Sequence, residues 1–518
     1  MTSKGIFSRP GPPPRLPTSS STGSGFGLAS GSGYETPMDI EGMPWPDAPL
    51  SAPAGGRPTV RPAAAFGGAR ALRRTTDLEA GRGVLGRRGS QSPPPPPPPA
   101  LAASASARLR GLNGGNSDDR RFRGVHLPAE SLNGAVMRAR ETGREVGWRD
   151  RIGCFQWTWF TITMATGGIA NALHSIPYRS EWLTGIGLAF FFLNLFLFTI
   201  ICVMLALRFY LRPGSLVDSF TDQWESLFIS AIVVSIGTIL ITITQYGVPH
   251  TGPWLLSLAE ALFWVYIGTS ALVSAGLYLT IWSTQVFPIH TMTPVWVFPA
   301  YPLLLSAPFG SNLISAAGRA GRPDGINTIP IALAAITVQG MGFLISLLIC
   351  AAFLYRLMTQ KLPRDHQRPG VFISIGPSAF SAAGLVQLGS LSPSIFPVDF
   401  MGTQHVAHIL RLQAYMAGLW LWGLSIWFFL VSVGSLWKYL RPESKGKLPF
   451  QMTWFSFVFP NTALVTATEA LGTAFSSNGL HIFGCALMGC LVLVWMLVFT
   501  KMLRCLWRRE LLWPKGND

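Results

Sequence analysis

The sequence predicts an all-α polytopic membrane protein with ten transmembrane helices in five helical hairpins, odd-numbered helices forming an inner ring and even-numbered ones an outer ring. Three observations carry this expectation. Hydrophobic residues make up 49% of the 518 and charged ones only 12%, with a mean hydropathy of +0.36, which takes the chain out of the soluble globular class. The apolar residues come in blocks of about 20, the length that a hydrocarbon core roughly 30 Å thick demands of a helix rising about 1.5 Å per residue. Prolines or a glycine pair break most of the odd-numbered blocks, while the even-numbered ones carry no interior proline.

In chain order, residues 1–133 hold no apolar block; Gly, Ser, Pro, Ala and Arg dominate, with a proline run at Pro93 to Pro99. Such a stretch cannot bury a core and is expected to be a disordered cytoplasmic head. Residues 134–153 are basic, with Arg138, Arg140, Arg144, Arg149 and Arg151 interleaved with Val136, Met137, Val146 and Trp148. They read as a juxtamembrane segment on the cytoplasmic surface.

The ten-helix transport domain, 154–503, follows. Its first block (154–174) carries Gly167-Gly168 and its second (183–207) is smooth and rich in Phe and Leu. The third (226–246) fits the alternation least well, with only Gly237 and a Gln245-Tyr246-Gly247 end. A smooth fourth block (254–281) holds Glu260; the fifth (294–317) contains Pro299, Pro302 and Pro308; the sixth (328–355) is smooth. Gly376-Pro377 breaks the seventh (370–391), while the eighth (405–434) is smooth and bears His405, His408 and Arg411. The ninth (450–475) combines Phe459, Pro460, Asn461, several threonines and Glu469, and the tenth (480–503) is smooth before a short cytoplasmic tail, 504–518. Proline strips a backbone hydrogen bond, and in lipid the freed carbonyls stay satisfied only where neighbouring helices or a wet cavity supply partners. Broken helices therefore belong around a cavity and smooth ones against lipid.

Alternate loops divide the basic residues unevenly, fifteen against three (Arg179, Arg319 and Arg322), which puts both termini in the cytoplasm. The net charge of +16 does not argue for nucleic acid, because these residues fall in the head and in short loops beside apolar blocks, without a binding motif. Six cysteines lie in or beside apolar blocks with no C-x-x-C pair and no histidine at ligand spacing, so they read as packing residues and no metal or cofactor is expected. An enzyme is not expected either: H-E-x-x-H and G-x-S-x-G do not occur.

Helix breaks suggest how an inner ring could serve a solute. Backbone amides freed at a break present partial positive charge, so Gly167, Gly168, Pro302, Gly376, Pro377, Pro460 and Asn461 are candidates to line an anion path. The alternative is that these small residues let helices approach closely. Arg411, with His408 one turn before it, could draw anions toward the outer mouth, or could be a snorkelling arginine at a helix end. Glu469 is the candidate proton site, since an intramembrane carboxylate is costly unless it has a task.

Four stretches carry a family resemblance: Phe155-Gln-Trp-Thr-Trp-Phe-Thr-Ile-Thr-Met-Ala-Thr-Gly-Gly, Trp296-Val-Phe-Pro-Ala-Tyr-Pro-Leu-Leu-Leu, Trp454-Phe-Ser-Phe-Val-Phe-Pro-Asn-Thr-Ala-Leu and Glu510-Leu-Leu-Trp-Pro. Over about seven-tenths of its length the chain resembles the tellurite-resistance and C4-dicarboxylate transporter family, which is slow anion channel-like, and the last two stretches look more like its fungal malic acid transport branch than its sulfite branch. The resemblance implies transport of small anions, C4-dicarboxylates such as malate or alternatively sulfite or another inorganic anion, by a plasma-membrane carrier moving acid with protons or facilitating its export. It also implies a homotrimer with a pore in each subunit. On the ninth helix it gives Phe459 the role of a pore-occluding aromatic; packing against the Pro460 kink is the alternative.

Overall fold

The computed structural model describes residues 147–440 and 448–512. The chain separates into two units, 1–116 and 117–518, and all described residues belong to the second. The expected head, most of the basic segment 134–153 and the last residues of the tail lie outside the described residues.

All regular structure among the described residues is helical. The α-helices are α1 (Trp148–Gly153), α2 (Phe160–Ser175), α3 (Glu181–Leu211), α4 (Ser215–Thr221), α5 (Ala231–Thr242), α6 (Pro253–Thr284), α7 (Ser306–Arg319), α8 (Thr328–Gln360), α9 (Ile375–Ile395), α10 (Val406–Ser435), α11 (Phe459–Ala474) and α12 (Asn478–Trp507). Seven helical stretches are long and apolar enough to cross a membrane: α3, α6, α8, α10 and α12 with their short extensions, and the stretches 226–250 and 365–395.

The five long helices α3, α6, α8, α10 and α12 are mostly exposed: only 22–28% of the most apolar window of each is buried. Phe192, Phe196, Leu272, Leu348, Leu430 and Leu497 stand out from them, the pattern of surfaces meant for lipid. Exposed Trp182, Trp254, Trp282, Trp437 and Trp507 lie near their ends, where amphipathic rings suit a membrane-water boundary.

The other apolar blocks are buried, and each changes helix type on the way. A 3-10 run at Trp157–Trp159 leads into α2, one at Ser226–Phe228 into α5, and one at Pro294–Leu305 into α7. The runs Asp365–Ser374 and Met452–Phe457 lead in the same way into α9 and α11. Three of these blocks do not count among the seven membrane-length helices, and their α-helical pieces are 14 to 16 residues long. The third block conforms with the rest in this respect, and after α5 it adds a π-helical turn, Ile243–Gly247.

Proline chemistry accounts for the buried contacts that hold these segments. Pro299 has no N–H for the carbonyl of Trp296 three residues back, and the Tyr278 hydroxyl donates to that carbonyl instead at 3.0 Å. Four residues before Pro302, the Phe298 carbonyl takes the Ser230 hydroxyl at 2.8 Å, and Pro302's own carbonyl takes the Tyr266 hydroxyl at 2.8 Å. Pro377 leaves the Ile373 carbonyl for the Tyr301 hydroxyl, 2.6 Å away. Pro460 leaves the Phe457 carbonyl, which the Asn461 side-chain amide occupies at 2.8 Å. Every one of these carbonyls is thus paired within protein, as a low-dielectric interior requires.

At the end where these segments begin, Arg208 of α3 makes a buried ion pair with Glu225, whose carboxylate also accepts the Trp157 N–H at 3.2 Å. The pair fastens the first broken segment to the third.

Candidate functional site

The helices α2, α5, α7, α9 and α11 start on residues that are themselves buried, namely Phe160, Ala231, Ser306, Ile375 and Phe459. At these starts the N–H groups bond back to carbonyls of the preceding 3-10 run, as Phe160 does to Trp157 and Ser306 to Leu303, so the backbone passes from one helix type into the next without freeing its donors.

Two cavities lie along these segments. The first is a narrow space lined by residues around the helix starts: Thr161, Met164, Phe298, Tyr301, Ile373, Phe455, Ser456, Phe459 and Pro460. The second, wider than the first, is lined further along the same elements by Gly168, Asn171, Thr238, Gln245, Asn312, Phe380, Phe459, Thr462, Thr466 and further apolar residues. Neither lining includes a charged side chain among the described residues.

Phe459 belongs to both linings. Its ring lies 5.8 Å from that of Tyr301, on the first cavity, and 5.2 Å from that of Phe380, on the second. Behind it, a Cβ on Gly168 would come within 3.3 Å of the ring and 2.7 Å of the Thr462 hydroxyl. Tyr301 is held in turn by its bond to the Ile373 carbonyl, a reach that only glycine at position 376 permits, since a Cβ there would stand 2.2 Å from the tyrosine oxygen.

The candidate break residues occupy different places. Pro460 falls in the first turn of α11 and Gly376-Pro377 in the first turn of α9, where a missing N–H costs nothing within the helix. Pro302 lies inside the 3-10 run, and Asn461 repairs the Pro460 break. Gly167 and Gly168 require a correction: they sit within continuous α2, and the change of helix type comes earlier, between Trp159 and Phe160. They are close-approach positions, Gly167 against Asn194 and Thr238, Gly168 against Phe459.

Glu469 is fully buried and lies between α11 and α12, its carboxylate 2.6 Å from His481 Nδ1 and accepting from the Cys485 thiol at 3.7 Å. Gly484 and Gly472 leave the space for this pair. Arg411 and His408 touch each other at 3.3 Å on α10 and line neither cavity. Glu260 accepts the Asn327 N–H near the start of α8. Of the cysteines, Cys350 and Cys505 are buried as expected and Cys490 is exposed.

Sequence reading missed the partners. Tyr301 was visible inside the Trp296 to Leu305 motif, but Phe380 and His481 carry no local signal. Nor did the polar wall of the second cavity, where Thr242 donates to Asn171 at 2.6 Å and Gln245 to Asn312 at 3.1 Å.

The family model described as voltage-dependent anion channel matches residues 154–503. A malic acid transport protein of Schizosaccharomyces pombe is 29% identical over 368 residues, 71% of this chain and 82% of its own length. A sulfite efflux pump of Trichophyton rubrum is 25% identical over 365 residues, 70% of this chain and 94% of its own. An uncharacterized transporter of Methanocaldococcus jannaschii is 23% identical over 375 residues, 70% and 98% of the two chains.

Proposed function

Because the chain belongs to the voltage-dependent anion channel family, we propose that it carries C4-dicarboxylates such as malate across the plasma membrane, along the axis of its two cavities. It is an integral membrane protein and its substrates are small anions. The observation that carries the reading is the pair of cavities whose linings offer hydroxyl and amide groups but no charged side chain among the described residues, and which share Phe459. Dipoles can replace the hydration of a passing anion without binding it too tightly to leave.

In this reading residues 154–503 are a transport domain of ten crossings in five hairpins. The buried, proline-interrupted segments line the path and the long smooth helices shield it from lipid. Both termini are cytoplasmic, so the first cavity faces the cytoplasm and the second the outside. The Glu469–His481 pair exchanges the proton that accompanies the anion. Three copies assemble, each with its own path, and native mass spectrometry of the purified protein is expected to give the trimer mass.

The test is flux of labelled malate into proteoliposomes with and without an imposed pH gradient. Uptake of malate, accelerated by an inward proton gradient, is the expected result. A second reading, a sulfite pump or a channel for small inorganic anions, is favoured by the similarity to the Trichophyton rubrum pump. Sulfite flux without malate flux would establish it in place of the first.

A further inference from the structure

On the membrane side where the sequence places only Arg179, Arg319 and Arg322, two of the three basic residues converge on one spot. Arg319 Nη1 lies 2.9 Å from His174 Nε2. The Arg179 guanidinium carbon stands 5.8 Å from the centre of the Tyr246 ring, against whose face the His174 ring sets its edge at 5.2 Å.

This cluster lies over the wider cavity. His174 follows Asn171 by one turn on α2, and Arg319 follows Asn312 by seven residues on α7, hence on the same helix face and about 10 Å further along. Asn171 and Asn312 both line that cavity, as does Gln245. Gln245 and Tyr246 belong to the π-helical turn, and the Gln245 backbone bonds to His174.

Two features make the cluster unusual as mere surface. A guanidinium can only donate, so His174 Nε2 is the acceptor, its ring is neutral with the proton on Nδ1, and the imidazole serves to aim Arg319. The two arginines also feel each other's charge, yet neither joins any of the ion pairs found among the described residues. Both are exposed, so their guanidiniums stand open to an anion arriving from solvent. A guanidinium forks onto a carboxylate through two parallel hydrogen bonds, so a pair of them suits a solute carrying two carboxylates better than one carrying one, or a spherical ion.

We propose that Arg179 and Arg319 form a two-guanidinium rim over the wider cavity that binds the carboxylates of an entering organic dianion, with His174 as the positioning residue for Arg319. The proposal rests on the anion-transport reading and deepens it, moving the task of attracting the anion from Arg411 and His408 to this rim.

The experiment uses the full chain in proteoliposomes with malate, lactate and chloride as probes. Arg179→Gln and Arg319→Gln are each expected to raise the half-saturating malate concentration about tenfold, the loss of one charge-assisted contact. Half-saturation by lactate should move less, and the maximal malate rate and chloride flux should stay as they are. Arg319→Lys restores part of the malate affinity, His174→Phe weakens it, and Arg322→Gln, which removes the same charge from the same side, does nothing. A second readout does not depend on transport: malate is expected to raise the melting temperature of the purified wild type and not of the Arg179→Gln, Arg319→Gln double variant.

Unchanged half-saturation in both single variants, or equal weakening for malate and chloride, overturns the rim. So does a melting temperature that malate leaves unmoved in the wild type. A wild type stabilised by malate that transports no anion would overturn the transport reading and leave the rim standing.

Discussion

In the proposed path Phe459 is the residue to test first, because among the described residues it is the only one in both cavity linings. Replacing it by alanine removes the ring that Tyr301 and Phe380 flank, and anion flux should rise about tenfold or more, equivalent to about 1.4 kcal/mol off the barrier. Electrogenic current in reconstituted vesicles measures this; unchanged current in a well-folded variant returns Phe459 to packing. Tyr301→Phe separates holding from blocking. It keeps the ring but leaves the Ile373 carbonyl buried without a donor, a loss of about 1–3 kcal/mol of stability, read as a lower melting temperature. Legibility at this scale was uneven. Glu469 stood out because a carboxylate in an apolar block is costly there, and Phe459 through the family resemblance. Phe380, His481 and His174 did not, because a lone aromatic or histidine in or beside an apolar block announces nothing until the fold supplies its partner.

At the scale of elements, the buried segments owe their course to proline and their cohesion to hydroxyls and amides from neighbouring elements. That proline breaks alternate blocks could be read from the chain; that Tyr278, Ser230 and Tyr301 take up the vacant carbonyls could not, since those partners lie 18 to 72 residues away along the chain. Gly167-Gly168 misled for a related reason, since a pair of glycines reads alike whether it bends a helix or lets another approach. The packing of α11 on α12 carries its own test. Glu469→Gln keeps the size of the side chain beside His481 but cannot carry a proton on and off at neutral pH. Malate uptake by this variant should lose its acceleration by an imposed pH gradient while the protein is made in normal amount; retained acceleration would place the proton elsewhere.

For the whole molecule, the division between exposed long helices and buried interrupted ones was legible from the spread of prolines and smooth apolar runs. The number of continuous spans was not, because hydropathy does not report where 3-10 gives way to α. Orientation can be checked directly. In a background without native cysteines, Arg322→Cys should react with a membrane-impermeant maleimide on intact cells, and Arg364→Cys only after permeabilisation; the reverse pattern would invert the topology. The partition between the chambers has a final consequence. In the path proposed above it is the Phe459 ring, and turning a side chain is in general far faster than rocking whole helical bundles, which takes about microseconds to milliseconds. A doorway of that kind swings quickly, so its latch must be sought in whatever pins the door: the tyrosine hinge-pin at 301, the phenylalanine doorstop at 380 and the shallow glycine recess at 168.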